Sequence, residues 1–368
     1  MKKKNLCKTL LKTMCILLGI LILALLAYIV YLYASYYRIE DNQELVVEAP
    51  VDDTTTGAAA VLATDTEYSA VTYNIGFGAY LPDYSFFMDG GTSSWAESPE
   101  TVQYAINGAG ELVKSLDPDF ALIQEIDLDA TRSYHTDEYE MLRNILPEYT
   151  TVFAQNYDSA FLFYPFTQPH GSSRAGLGLF SKYPVSSALR RSFPISTSFS
   201  KFFDLDRCYS VSRIPVDNGK ELVIFNLHMS AYGNSDEIRK GQIEMLCNDM
   251  AKEYEAGNYV LCGGDFNHDL KASEEDAESC ESWAFPFPRS ELPEHFTFCL
   301  DLLTEEEQAA LWNSARNADM EYVPGVTYTV TLDGFIISDN IECLSYENVN
   351  TGYSYSDHDP VKVEFMLK

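Results

Sequence analysis

From Met14 to Ala34 the chain carries no charged residue, and nearly every position is apolar. A run of that length spans a bilayer core as a helix. Lys2, Lys3, Lys4, Lys8 and Lys12 precede it and Arg38 follows it. That lysine bias predicts a cytoplasmic N-terminus, with everything after Arg38 outside the cell. A cleaved signal peptide is the competing reading. The run is long for one, and no small-x-small cleavage site follows it, so an uncleaved single-pass anchor is expected over residues 1–38. Residues 39–66 are acidic, rich in Thr and Ala and nearly free of aromatics, which predicts a linker holding the rest off the membrane.

After that the pattern alternates between strand and helix periods. "YSAVTYNIG" (Tyr68 to Gly76) predicts a strand. Ser98 caps a helix that Pro99 opens and Asp117-Pro118 ends. "FALIQEID" predicts a buried strand, and a helix follows from Asp137 to Leu146. Strand-like pieces come next: "YTTVFAQ", "GLGLFSKYPV", "CYSVSRIPV" and "LVIFNLHMS". The last two flank Asp217-Asn218-Gly219-Lys220, a strong hairpin turn. A helix from about Asp236 to Tyr254 leads into "NYVLCGGDFNHD". After an irregular, aromatic-rich stretch, "TYTVTLDGFIIS" and "DHDPVKVEFML" close the chain as strands. Many strands with few helices between them predict two sheets packed face to face, helices outside, over residues 67–368.

Charge narrows the partners. The chain has 55 acidic residues and 25 Lys plus Arg; beyond Arg38 the balance is 19 basic against 55 acidic, a formal −36. Such a surface repels polyanions, whose binding relies on Lys and Arg releasing counterions, so strong nucleic-acid binding is not expected. A solubilising role for the acids is equally compatible. The eight cysteines form no CxxC and no Cys/His spacing suited to zinc. An exterior location permits disulfides, but spacing assigns no connectivity. Cys262 fits a buried strand position.

Several predicted strands end in polar residues where the apolar pattern breaks. In chain order these are Asn74 in "TYNIG", Glu125 in "IQEID", His228 in "FNLHMS", Asp265 and Asn267 in "GGDFN", Asp333 in "TLDGFII", and Asp357 with His358 in "SDHDPV". Taken singly, an Asp or Asn after a strand is usually a turn residue. The order of the whole set resembles the endonuclease/exonuclease/phosphatase superfamily, the DNase I-like fold that also includes sphingomyelinases and inositol-polyphosphate phosphatases. "GDFN" with the terminal "SDHDPV" carries most of the likeness, which covers about Tyr68 to Leu367.

The resemblance implies an α+β, four-layer α/β/β/α sandwich of two mixed sheets and a metal-dependent phosphoesterase. A phosphodiester resists attack by water, so catalysis needs a divalent cation, a base and donors for developing charge. Glu125 is the implied ligand for Mg2+ (or Mn2+), with Asn74 beside it and Asp357 near; magnesium keeps several waters, so few protein ligands suffice. Asp265 would orient or deprotonate the attacking water and Asn267 would steady it. His358 would donate to a phosphoryl oxygen, with Asp333 fixing its tautomer. His228 is a candidate acid for the leaving group. Gly263 and Gly264 would let the backbone turn sharply, Phe266 would point into the core, and His268 and Asp269 would lie at the rim. Arg174 and His170 are weaker candidates for phosphate contact.

Three aromatic-rich segments, "FGAYLPDYSFFMDGGTSSW", "FLFYPF" and "ESWAFPFPRSELPEHFTF", would shape specificity or merely pack. The leading expectation is a monomeric, membrane-anchored extracellular hydrolase of a small or lipid-linked phosphoester. A surface nuclease is the alternative, and would need a local basic groove from Arg190, Arg191, Lys201, Arg207 and Arg213. A catalytically silent binding module is the third reading.

Overall fold

A computed structural model of the chain describes residues 2–52, 61–202, 204–231, 236–274 and 283–368. The chain divides into two units, Met1–Arg38 and Ile39–Lys368. In the first, a helix runs Lys2–Ser35 (α1). Its Leu6–Ser35 portion, with mean hydropathy 2.9, is long and apolar enough to cross a membrane.

The second unit begins with two short strands, Gln43–Glu44 (β1) and Val47–Glu48 (β2), then β3 (Glu67–Asn74), α2 (Pro99–Leu116), β4 (Phe120–Ala130), α3 (Glu138–Ile145) and β5 (Thr150–Asp158). There follow β6 (Ser173–Ser181), β7 (Ser187–Ser192), β8 (Cys208–Pro215), β9 (Glu221–His228), α4 (Asp236–Glu255) and β10 (Tyr259–Asp265). The remainder is β11 (Phe296–Phe298), α5 (Glu305–Ala310), β12 (Ala315–Arg316), β13 (Thr329–Val330), β14 (Asp333–Ser338), β15 (Ile341–Asn348) and β16 (Val361–Leu367).

Two seven-stranded sheets result, ordered β1-β7-β8-β9-β10-β14-β11 and β15-β16-β3-β4-β6-β5-β2. Each holds one parallel pair near its middle, β9 with β10 and β3 with β4, and is otherwise antiparallel. Their inner faces share one core, in which Leu122, Val152 and Leu179 of one sheet join Ile224, Leu261 and Phe335 of the other. Ile243, Leu246 and Met250 of α4 extend that core outward. A second core packs Val102, Ile106 and Val113 of α2 and Leu142 of α3 on Tyr73, Ala121 and Ile123. The layers are therefore helix, sheet, sheet, helix, as expected.

Helix α2 starts where its capping signals place it: the Ser98 hydroxyl accepts from the Thr101 amide at 3.1 Å, and Pro99 takes the first position. The hairpin expected at 217–220 forms, with Gly219 at φ +80°. One buried polar clamp crosses the sandwich. Gln124 of β4 donates to the Asn226 side chain of β9 at 2.8 Å, and Asn226 donates to the Gly178 carbonyl at 3.0 Å. Such a satisfied pair fixes how one sheet sits on the other, since a slip would strand both amides without partners.

Four local expectations change. The segment read as a linker adds β1 and β2 to the edges of the two sheets, and Leu62 sits fully buried in the core; residues 53–60 lie outside the described residues. "TYTVTLDGFIIS" divides into β13 and β14. Asp357 and His358 precede β16 rather than lying within it. Strands β7 and β15 were not foreseen; in β15 a register shift between Cys343 and Ser345 breaks the alternation that marks a strand. The seven described cysteines are free thiols; Cys280 lies outside the described residues.

Candidate active site

The topology explains why the polar strand ends meet. Parallel neighbours end on the same edge, and an antiparallel neighbour starts there. Asp265, last residue of β10, therefore stands level with His228, last of β9, and with Asp333, first of β14. In the facing sheet Asn74 ends β3 level with Gln124, so Glu125 follows at the same edge. Glycine is required at 264: φ is +146°, and a Cβ would lie 2.1 Å from the Leu227 carbonyl oxygen. At 263 a Cβ would meet the Phe335 ring at 2.4 Å.

Asn74 joins the two sheets' contributions. Its amide donates to Glu125 Oε1 at 3.1 Å and to Asp265 Oδ2 at 3.0 Å, while its Oδ1 accepts from the Gly76 amide. Glu125 does not end its strand. It sits inside β4 at a register shift, with φ +56°, and the bulge turns its carboxylate into the cleft. Asp265 Oδ1 accepts from the Asn267 amide at 2.9 Å, and the Asn267 side chain donates to the Met229 carbonyl. His228 Nε2 lies 3.5 Å from Asp265 Oδ2 and 3.9 Å from Glu125 Oε1. His358 Nδ1 is 2.7 Å from Asp333 Oδ2, and its Nε2 is 3.9 Å from Asp265 Oδ2. The eight residues expected at the site thus occupy one region; Glu125, His228, Asp265, Asn267, Asp357 and His358 line one cleft of about 410 Å³.

The electrostatics separate the titratable groups. Burial pushes the Asp265 carboxyl up to about 7 despite the opposing pull of His358, which suits a base working near neutrality. Burial also raises Asp357, to about 6, with Glu125 adding to the rise. For His358, burial favours the neutral ring, but the Asp333 carboxylate, aided by Asp265 and Asp357, outweighs it and holds the imidazole well above its ordinary value. Burial holds His228 well below its ordinary value, and the charges of Arg207 and His358 add to this. Of these two imidazoles in the cleft, His358 is held charged and His228 neutral.

Two sets of ligand-type atoms exist. Single atoms of Asp265, Asp333 and His358 lie within 4.8 Å of one another, but His358 Nδ1 is engaged by Asp333 at 2.7 Å, so these two form a hydrogen-bonded relay beside Asp265. Glu125 and Asp357 offer hard oxygens that disfavour each other's charge, and Asn74 holds only one Glu125 oxygen. A hydrated divalent cation fits these residues better.

Ser314, which the sequence did not flag, orients the relay. Its hydroxyl donates to Asp333 Oδ2 at 2.7 Å and accepts from the Leu332 and Asp333 amides. Arg132 is another such residue, bidentate to Asp127 and 3.8 Å above the Phe77 ring. Asn156 carried a readable signal: it shares the inward phase of β5 with Val152 and Ala154, a place for apolar residues.

Among the weaker candidates, Arg174 is exposed and pairs with Asp129, away from the cleft, whereas His170 is buried and lines it. The first aromatic segment contributes buried Tyr80 and Phe86 to the cleft wall, while Phe163, Tyr164 and Phe166 of "FLFYPF" are exposed.

Phe266 points into the core as expected, but His268 is buried, not at the rim. Its Nδ1 donates to the Phe266 carbonyl at 2.6 Å, and burial pushes the ring down to about 4. The folded chain keeps this ring neutral where the unfolded chain protonates it, so stability is lost as pH falls from about 6.5 to about 4. Relative to His268→Gln, the wild type should lose roughly 3 kcal/mol across that window, measured by urea unfolding at each end. Equal losses in both proteins would refute this.

Residues 71–300 match the model of the Endonuclease/Exonuclease/phosphatase family. No curated protein matches the chain. Among solved structures, the endonuclease/exonuclease/phosphatase from Beutenbergia cavernae superposes with TM-score 0.54 at 15% identity, covering 82% of this chain and 72% of that one. TDP2 of D. rerio, complexed with a single-strand DNA product, gives 0.54 at 14%, covering 82% and 99%. ANGEL2, a 2',3'-cyclic phosphatase in complex with adenosine-2',3'-vanadate, gives 0.55 at 12%, covering 82% and 96%. At these identities the likeness is one of fold. The family match spans more than half of the chain and takes in Asn74, Glu125, His228, Asp265 and Asn267, and on that ground the chain belongs to the Endonuclease/Exonuclease/phosphatase family.

Proposed function

We propose that the chain is a membrane-anchored, metal-dependent phosphoesterase whose catalytic domain lies outside the cell, acting on a small or lipid-linked phosphodiester. The observation that carries this is the meeting of Glu125, Asp265 and His358 in one cleft, from three distant stretches of chain. Glu125 and Asp357, with Asn74, would hold Mg2+ or Mn2+. When bound, the cation supplies charge neutralisation at the phosphoryl oxygens. Asp265, poised near neutrality, takes a proton from the attacking water, and Asn267 steadies that water. His358, kept protonated by Asp333, donates to a phosphoryl oxygen through Nε2. His228, expected as an acid for the leaving group, is held neutral, so its role here is that of a hydrogen-bond donor rather than a proton reservoir.

Three of the five basic residues that a nuclease groove would need are otherwise engaged. Arg190 is buried against the carbonyls of Gln155, Glu40 and Asp206. Arg191 pairs with Asp41 and Asp249, and Arg213 with Glu221 and Glu253. Of that set only Arg207 lines the cleft. This favours a small or lipid-linked ester over a long polyanion. The test uses the full chain in detergent with magnesium against bis(p-nitrophenyl) phosphate, sphingomyelin and plasmid DNA. Turnover of one of the first two, abolished by EDTA, with the plasmid intact, is expected. Plasmid cleavage alone would favour the nuclease, and no turnover of any of the three would sink the hydrolase.

A further inference from the structure

Arg207 differs from the other buried arginines of the domain. Arg132 is bidentate to Asp127, Arg190 is spent on carbonyls, and Arg316 donates to the carbonyls of Tyr80, Leu81 and Asn317. Arg207 is only 7% exposed, its Nε and Nη1 have no hydrogen-bond partner, and no carboxylate among the described residues pairs with it. Asn156 is 1% exposed, and its Nδ2 donor is likewise without a partner. Both side chains line the cleft beside His228. A buried guanidinium edge left without an acceptor costs several kcal/mol unless a ligand or ordered water completes it.

The two are placed together by a third residue. Arg190 Nε donates to the carbonyl of Gln155 at 2.7 Å, and its Nη2 donates to the carbonyl of Asp206 at 2.8 Å. One fully buried guanidinium therefore fastens the backbone immediately before Asn156 and immediately before Arg207. Asn156 keeps the inward phase of Val152 and Ala154, and the register shift in β5 falls at it, between Gln155 and Tyr157. A buried cross-tie thus holds the backbone beside two side chains whose donors no described residue uses.

We infer that Arg207 and Asn156 form a subsite for a second phosphoryl group of the substrate, next to the one that is cleaved. The unpartnered atoms of the pair are all donors, which selects an anion. The Nε–Nη2 edge of a guanidinium, the edge that Arg132 presents to Asp127, matches two oxygens of one phosphoryl group, the unpartnered Nε of Arg207 lies on that edge, and Asn156 supplies a donor for a third oxygen. The inference rests on the phosphoesterase reading for its place in turnover, though binding at the subsite is measurable without turnover.

The test titrates inorganic phosphate calorimetrically into the full chain in detergent, at a moderate magnesium concentration that fills the wild-type site but not the weakened site of Glu125→Gln. Two sites per chain are expected, one at the metal and one at Arg207. Arg207→Gln should leave one, Glu125→Gln should leave the other, and Asn156→Leu should weaken the Arg207 site roughly tenfold. Because Arg207→Gln removes an unpaired buried charge, its Tm should hold or rise. A fall of several degrees would mark Arg207 as structural and overturn the subsite. A single site in the wild type, or two sites remaining in Arg207→Gln, would overturn it as well. Two sites with no hydrolysis of any ester would overturn the phosphoesterase reading and leave this one standing. Displacement of the Arg207-bound phosphate by fructose 1,6-bisphosphate or by phosphatidic acid vesicles then distinguishes a soluble from a lipid-borne source.

Discussion

Replacing His358 with alanine should lower kcat by about 10³-fold or more, because one substitution removes both a charged donor and the partner of Asp333. Nε2 stands 3.9 Å from the nearest Asp265 oxygen, too far for a hydrogen bond, so its proton remains for a phosphoryl oxygen. The charge on the ring depends on Asp333, whose carboxylate outweighs the burial that would otherwise neutralise it. Asp333→Asn therefore has a distinct signature. With the carboxylate gone the pKa of His358 falls, and the protonated form is lost at lower pH than in the wild type. The alkaline limb of the pH–rate profile should move to lower pH, while activity in mild acid is partly retained. If His358→Ala keeps near-normal turnover, or if the alkaline limb of Asp333→Asn does not move, the relay has no part in the reaction.

Glu125→Gln and Asp265→Asn should each reduce turnover by about 10²-fold or more at moderate magnesium, and only the first should recover when magnesium is raised. Glutamine keeps an oxygen for Asn74 to donate to, as at the present 3.1 Å contact, so the local fold survives. What it removes is the charge that attracts the cation, and mass action can offset a weakened site. In the proposed mechanism Asp265 takes the proton, and more metal cannot replace a missing base. Its Oδ1 accepts from the Asn267 amide and its Oδ2 from Asn74, so an asparagine there also turns an acceptor into a donor at one of these contacts. Recovery of both variants with magnesium, or of neither, would contradict this division of labour.

The elements with strong local signals were legible. Helix α2 carries its own cap, first-turn proline and terminator, and the 217–220 hairpin needs only the φ freedom of Gly219. Other elements were not legible because distant contacts define them. Strands β1 and β2 have two residues each and exist only because sheet edges accept them. The bulge at Glu125 leaves no trace in "FALIQEID", since a positive φ at a glutamate is imposed by neighbouring strands rather than favoured by the residue itself. His268 lies between Asn267 and Asp269 and reads as a rim group, yet the Phe266–Phe287–Phe298 cluster buries it.

By itself the sequence determined the layered α+β architecture, the apolar N-terminal run and the polar residue at each critical strand end. Hydrophobic period and turn chemistry are local properties and can be read locally. Only the tertiary structure decided what those polar groups are to one another. Proton affinities are set by burial and by charges from strands far apart in the chain, which is why two histidines of the same type are held in opposite charge states, one beside Asp333 and one beside Arg207. The unpaired edge of Arg207 belongs to the same class: a missing partner becomes visible only when all the neighbours are in place.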